Sequence, residues 1–208
     1  ALAEVDTLCE QISAIRKSAG VTLREKMIQA LQDLNFLDVQ FDLQFTRTDR
    51  YSANGYDGME FLISTNPGEP MRALKDIASG GELSRIMLAL KNVLAEQEAI
   101  GTLVFDEVDT GVSGRAAQKV AEKLAQVSRR KQVLCVTHLP QLAAMADTHF
   151  SVEKGERGGR TYTEVILLNR EQRKAELARI TGGSKVTEAF LESAGELLDE
   201  AETYRKSI

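Results

Sequence analysis

A chain of 208 residues with 43% hydrophobic side chains can bury a substantial core, so disorder is excluded and one globular domain with an appendage is expected. The 31 acidic residues outnumber the 26 basic ones, for a net charge of −5, which argues against a uniformly basic nucleic-acid surface. The longest apolar runs, such as Leu103 to Phe105 and Val133 to Val136, are far too short to span a bilayer, and no charged-then-apolar leader opens the chain, so a soluble cytoplasmic protein without a membrane partner is expected.

From Leu2 to Leu34 the residues Leu2, Val5, Leu8, Ile12, Ile15, Ala19, Leu23, Met27, Leu31 and Leu34 step by three or four, as one face of a long amphipathic helix does. Gly20, beside Lys17 and Ser18, marks a local break. The abrupt start reads as the returning arm of a coiled coil whose partner helix lies outside the sequence, although an ordinary surface helix would show the same period. Cys9 in this helix and Cys135 far downstream lack any C-x-x-C partner, so zinc and disulfide readings are weak.

After Asn35 the period changes to two. Val39, Phe41, Leu43 and Phe45 alternate with polar residues, and a second strand follows at Met59 to Ser64; the glycine- and asparagine-bearing stretch Ser52 to Gly58 predicts a turn joining them as an antiparallel pair. Asn66 to Pro70 forms an irregular loop. Then helix and strand patterns alternate: a helix from Gly81 to about Gln97, a strand Thr102 to Asp106, a helix Arg115 to Ser128 and a strand Gln132 to Thr137. This rhythm predicts an α/β fold with a mostly parallel sheet flanked by helices. A short helix at Pro140 to Met145 leads to strands near His149 to Glu153 and Tyr162 to Leu168, with a glycine-rich turn at Gly155 to Gly159. Helices at Arg170 to Ile180 and Val186 to Tyr204, broken at Gly182-Gly183, end the sequence. The short basic groups Arg129-Arg130-Lys131 and Arg170, Arg173 and Lys174 read as solvated helix ends.

Three segments carry chemistry. Thr102-Leu-Val-Phe-Asp-Glu107 is an apolar strand ending in two carboxylates, and parallel sheets place ligands at strand C-terminal ends. Phosphoryl transfer would use Asp106 to hold Mg²⁺ and Glu107 to orient and deprotonate the attacking water. Alone, the same string is more often a loop start than a catalytic pair. Ser79-Gly-Gly-Glu82 opens a strongly periodic helix, whose unpaired N–H groups and positive end can cradle an anion, with Ser79 adding a hydroxyl; Ser79 as a simple N-cap explains the same residues. Gln132-Val-Leu-Cys-Val-Thr-His138 puts an imidazole at the end of a second core strand, there to contact a γ-phosphate or merely a backbone carbonyl. His149 matches no motif and reads as structural.

In this order and spacing the three segments resemble the signature, Walker B and switch motifs of SMC-type ABC ATPase heads. More narrowly, Ile77 to Arg85, Phe105 to Gly114, Cys135 to Gln141 and Glu176-Leu-Ala-Arg179 with Gly182-Gly183 look like the bacterial RecN repair family over nearly the whole chain. The resemblance implies residues 1–34 as a coiled-coil stub and 35–208 as the C-terminal lobe of the head. Glu107 and His138 would be catalytic, Asp106 the Mg²⁺ ligand, and Ser79, Gly80, Gly81 and Glu82 the signature that meets ATP in trans. Asp109 and Thr110 would lie in a loop approaching the dimer partner. Ala78 stands where leucine is usual, and Ser113 where aspartate usually closes that loop, so the trans contact made by that aspartate does not carry over.

No G-x-x-x-x-G-K-[ST] string occurs; Thr181-Gly-Gly-Ser-Lys185 has the wrong order and no preceding strand. The resemblance therefore implies ATP and Mg²⁺ as ligands and, as partners, the Walker A half of the same head, a second head in a homodimer, and DNA. Hydrolysis would act in double-strand-break repair and recombination in the bacterial cytoplasm, at the nucleoid, and this chain alone would be inactive. A non-enzymatic DNA-tethering module, or another SMC-type ATPase, is the alternative. A transporter ATPase would lack the long first helix, and a serine hydrolase built on Ser79, His138 and Asp106 would need a G-x-S-x-G elbow.

Overall fold

The computed structural model describes residues 1–95, 99–157, 159–183 and 185–208, arranged as two units, Ala1–Ala99 and Ile100–Ile208. In the first, α1 (Leu2–Asp33) is one uninterrupted helix. Gly20 does not break it. The residue is buried, and a Cβ there would stand 3.2 Å from Cε2 of Phe45, so the glycine lets an aromatic ring approach the helix backbone. Met27, Leu31, Leu34 and Phe36 bury the C-terminal end of α1 and the turn after it. Leu2, Leu8 and Ile15 remain largely exposed.

Strands β1 (Gln40–Ser52) and β2 (Gly55–Ser64) pair antiparallel from Gln40 opposite Ser64 to Ser52 opposite Gly55, with a register shift between Arg47 and Ser52. The turn expected over Ser52 to Gly58 contracts to two residues, because Gly55 takes the left-handed φ of +87° and closes the hairpin early. The long hairpin is tied to α1 by Arg16 on Asp57 at 3.1 Å and by Asp6, which accepts from Arg47 at 3.0 Å and from the Tyr51 hydroxyl at 2.7 Å. The short β3 (Arg72–Ala73) adds to β2, a 3₁₀ turn follows at Leu74–Asp76, and α2 (Gly80–Val93) completes the unit. The helix end expected near Gln97 lies outside the described residues.

In the second unit, β4 (Thr102–Phe105) and β5 (Gln132–Cys135) pair in parallel, Thr102 beside Gln132 and Phe105 beside Cys135, joined through α3 (Gly114–Ser128). Ala117, Val120, Ala121, Leu124 and Ala125 form the buried stripe of α3, the period expected of a helix covering a sheet. Among the described residues the parallel sheet consists of these two strands. Helix α4 (Pro140–Met145) leads to β6 (Phe150–Arg157) and β7 (Arg160–Leu167), an antiparallel hairpin. Gly155, expected in the turn, lies within β6 opposite Tyr162, whose hydroxyl would be 2.5 Å from an added Cβ; it makes room for the ring, and the strands run on to Arg157 and Arg160. Helices α5 (Arg170–Gly182) and α6 (Glu188–Ser207) follow, separated where Gly183 adopts φ +65°. Among the described residues no helix is long and apolar enough to cross a membrane.

Candidate functional site

The apolar strand β4 ends at Phe105, and the two carboxylates that follow are both exposed. Asp106 Oδ1 accepts the Glu107 backbone N–H at 2.9 Å. Glu107 has φ +58°, a left-handed conformation that an L side chain adopts at a cost of about 1–3 kcal/mol and that surrounding structure must impose. Here the imposing contacts are local: the Glu107 carbonyl accepts from Thr110 N–H at 3.1 Å, the Asp109 carbonyl accepts from Val112 N–H at 3.3 Å, and Val108 between them is fully buried. The buried Val108 anchors the loop while Glu107 faces solvent.

Strand β5 continues the pairing past its end, since Val136 N–H donates to the Phe105 carbonyl at 3.0 Å. Thr137 and His138 are thereby delivered to the same sheet end as Asp106 and Glu107. Asp109, only 3% exposed at its side chain, reaches across: its Oδ2 accepts from Thr137 Oγ1 at 2.5 Å and from His138 N–H at 2.9 Å, and lies 3.2 Å from His138 Nδ1. The imidazole itself is 74% exposed. Asp109, assigned on sequence to a loop reaching a dimer partner, thus turns its carboxylate inward; Thr110 beside it is exposed. No sequence signal links Asp109 to a histidine 29 residues away, because the pair forms only through the parallel register of β4 and β5.

Cys135, at the end of β5, has its thiol pushed up to about 12, chiefly by burial and then by the Asp109 and Asp106 carboxylates. It is a protonated, inert filler. Among the described residues no group of three His, Cys, Asp or Glu side chains forms a metal cage. Magnesium needs none, being held by one or two carboxylates plus substrate phosphates, and the exposed Asp106 fits that donor set.

The signature-like segment belongs to the first unit. Ser79 is the N-cap of α2, its hydroxyl accepting from Glu82 N–H at 3.3 Å. The capping role uses a lone pair on oxygen and is compatible with donation of the hydroxyl proton to an anion. Gly80 begins the helix, Gly81 is buried within its first turn, and Glu82 is half-buried. One turn on, Arg85 is 7% exposed with its guanidinium 5.3 Å from the Phe36 ring centroid, and burial lowers its pKa while Glu82 opposes the shift. The segment is thus a rigid helix start whose backbone N–H groups present a positive pole.

Lys131, Arg170 and Arg173 of the basic groups noted on sequence have structural partners. Lys131 is buried and donates to the Ile100 carbonyl at 2.8 Å, Arg170 pairs with Asp199 and with Glu202, and Arg173 Nη2 donates to the carbonyls of Ala143, Ala144 and Ala146. Arg205 joins Arg173 on the same helix end, donating to Ala144, Met145 and Ala146. Two cations thereby satisfy the orphan carbonyls of α4, the helix that begins immediately after His138 and Leu139. His149 is half-buried, with its pKa lowered by burial first and by the charge of Arg173 second, Glu176 opposing; it thus lies within reach of the guanidinium that supports α4.

No family model matches the chain. It is 47% identical over 194 residues to the DNA repair protein RecN of Halalkalibacterium halodurans, covering 91% of this chain and 34% of that protein. To the DNA repair protein RecN of Bacillus subtilis it is 43% identical over 206 residues, covering 92% of this chain and 36% of that protein; the chain spans about a third of the length of these curated relatives. A solved Smc head domain with a coiled coil and joint from Pyrococcus yayanosii superimposes with TM-score 0.58 at 19% identity, covering 80% of this chain and 30% of that one. A structure described as the structural biochemistry of ATP-driven dimerization and DNA-stimulated activation of SMC ATPases gives TM-score 0.50 at 18% identity, over 81% and 96%. The fold is that of an SMC head, and the extent of identity over nine-tenths of its length establishes that this chain belongs to the RecN family, matching its C-terminal portion.

Proposed function

We propose that this chain is the C-terminal lobe of an SMC-like head that hydrolyses ATP between two dimerised heads in DNA double-strand-break repair. The observation that carries the reading is the delivery of Asp106, Glu107 and His138 to one end of the parallel pair β4 and β5. That geometry suits an in-line attack on a γ-phosphate, where positioning and electrostatics supply most of the rate.

In this reading Glu107 orients the attacking water and takes its proton, and its left-handed backbone keeps the carboxylate fixed relative to β4. His138 contacts the γ-phosphate. Asp106 holds Mg²⁺, which neutralises charge on the β- and γ-phosphates when bound. Ser79, Gly80 and Gly81 of one head face the ATP held by the other, with N–H groups and the α2 dipole drawing the γ-phosphate, and Glu82 closes that turn. Thr110 lies in the loop that approaches the partner head. Binding at the γ-phosphate then becomes a dimerisation switch, and hydrolysis resets it.

The Walker A loop comes from a separate segment, the other half of the same head. The bare apolar side chains Val104, Leu134 and Val136 on the parallel pair support such a partner, because exposed contiguous apolar strands in a soluble protein call for a cover. Leu8 and Ile15 on α1 are exposed seven residues apart, a heptad spacing that suits the returning arm of a coiled coil. DNA is the substrate tethered by the dimer, in the cytoplasm at the nucleoid.

The test is ATP hydrolysis and ATP-dependent dimerisation of this chain alone and after addition of a segment carrying a P-loop. Activity is expected only after addition. In the completed head, Glu107→Gln should bind ATP and dimerise while losing at least about 100-fold in turnover. Ser79→Arg should block dimerisation by filling the anion cradle with bulk and charge. Hydrolysis by the chain alone, or normal turnover in the Glu107→Gln head, would overturn the reading.

A further inference from the structure

A buried carboxylate aimed at an exposed imidazole is an arrangement that the ATPase reading does not use. Asp109 is 3% exposed at its side chain, whereas His138 is 74% exposed. A carboxylate so enclosed must be satisfied by donors, and its Oδ2 accepts the Thr137 hydroxyl and the His138 backbone N–H, with His138 Nδ1 lying 3.2 Å away. Thr137 is itself oriented: its oxygen accepts the Leu139 N–H at 3.0 Å, which directs its own proton to Asp109. Residues 137–139 are therefore laced to one carboxylate oxygen.

An ionised carboxylate is an acceptor only. A ring nitrogen 3.2 Å from it is favoured with its proton on, because a bare lone pair there would face the carboxylate's negative charge, so the approach selects one of the two imidazole tautomers. We propose that Asp109 is a positioning residue that holds His138 in the Nδ1–H form, leaving Nε2 as the nitrogen presented to the γ-phosphate. The neutral imidazole in water prefers the opposite tautomer, so the preference is inverted by this one contact. The logic parallels the carboxylate that fixes the base histidine of a hydrolytic triad or the outer partner of a metal-bound imidazole. Its foundation is that both donors to Oδ2 come from the same loop as the ring, so the fold sets the carboxylate beside Nδ1 before any ligand arrives.

The inference rests on the ATPase reading only for what Nε2 meets; the tautomer itself is a property of the chain. The experiment has two arms accordingly. The chain holds two histidines, so two-bond ¹H–¹⁵N spectra at about pH 8.5, above the ordinary imidazole range, resolve both, and His149→Gln assigns them. His138 should show a protonated Nδ1 and a lone-pair Nε2. Asp109→Ala should return it to the Nε2–H form, and Thr137→Val, which removes two loop bonds without touching the carboxylate–ring approach, should leave it in the Nδ1–H form. An Nε2–H tautomer in the unsubstituted chain overturns the proposal whether or not the Asp109 variants fold.

In the second arm, the head completed with a P-loop segment is assayed for ATP hydrolysis. Asp109→Asn should lower kcat by about 10–100-fold with little change in KM, and should have no further effect in a His138→Ala background. An equal loss in both backgrounds would make Asp109 a loop brace and sink the positioning role. A completed, unsubstituted head that fails to hydrolyse ATP would overturn the ATPase reading instead, with the tautomer still deciding the Asp109–His138 pairing.

Discussion

At the scale of single residues, the second unit divides its ionisable groups between the strand end, where Asp106, Glu107 and His138 face solvent, and the support of α4, where charge is enclosed. His149 illustrates the second kind. Burial, reinforced by the Arg173 guanidinium and opposed by Glu176, lowers its pKa, so the folded chain disfavours the imidazolium. The unfolded chain then binds the proton more readily, and the stability His149 contributes is complete above its ordinary value of about 6.5 and lost as pH falls below it. Glu176 is held down by the Arg179 hydrogen bond, burial opposing, so its contribution is complete above about 4.3 and lost at still lower pH. Thermal melts across this range should show two successive losses. His149→Gln should abolish the first and keep the second; an unchanged pH profile in that variant would remove His149 as the titrating group.

At the scale of elements, two devices position the chemistry without touching it. Helix α4 has six residues, too few to be stable alone; Pro140 at its start and the Arg173 and Arg205 guanidinium groups on its last carbonyls hold it in place, and with it the loop that carries His138. In the first unit, α1 and the β1–β2 hairpin approach closely at Gly20, where the Phe45 ring occupies the space of a side chain. This contact predicts a graded response. Gly20→Ala should stay within about 1 kcal/mol of the parent, because gained helix propensity offsets a contact tighter than van der Waals distance. Gly20→Leu should destabilise by about 1–3 kcal/mol through overpacking. A stabilised Gly20→Leu in denaturant titrations would mean that the glycine serves as a break in the helix after all.

At the scale of the molecule, the chain carries exposed apolar pairs on its strands. Val104 and Leu134 are cross-strand neighbours on β4 and β5, and Phe150 with Leu167, and Val152 with Val165, are direct pairs on β6 and β7; all six are exposed. The chain spans about a third of the relatives' length, and the companion proposed above is what such a surface would meet. Val104→Glu should therefore shift the chain's own stability by no more than about 1 kcal/mol, yet weaken association with a P-loop-bearing segment by at least about 10-fold, since burying an unpaired carboxylate costs far more than exposing one. Titration calorimetry or co-elution measures it, and undiminished association would move the companion to another face.

Local chemistry was legible in the sequence because its causes are local. The 3.6 period of α1 and α3, the alternation in β1, the Ser79 cap and the apolar run into Asp106-Glu107 each depend on neighbours a few residues away. The role of Gly20 was misread for the same reason: its partner Phe45 arrives from another strand, and a glycine's sequence neighbours do not reveal a ring packed against it. The hairpin turns were drawn too long because Gly55 and Gly155 serve different needs, one a left-handed φ and the other clearance for Tyr162, which sequence cannot separate. The sequence by itself determined the order and spacing of the three segments proposed to meet a nucleotide, and that no G-x-x-x-x-G-K-[ST] string lies among its residues. Only the tertiary structure decided that Asp109 faces His138 rather than solvent, because that contact exists only once the parallel register sets β4 beside β5, bringing together groups 29 residues apart.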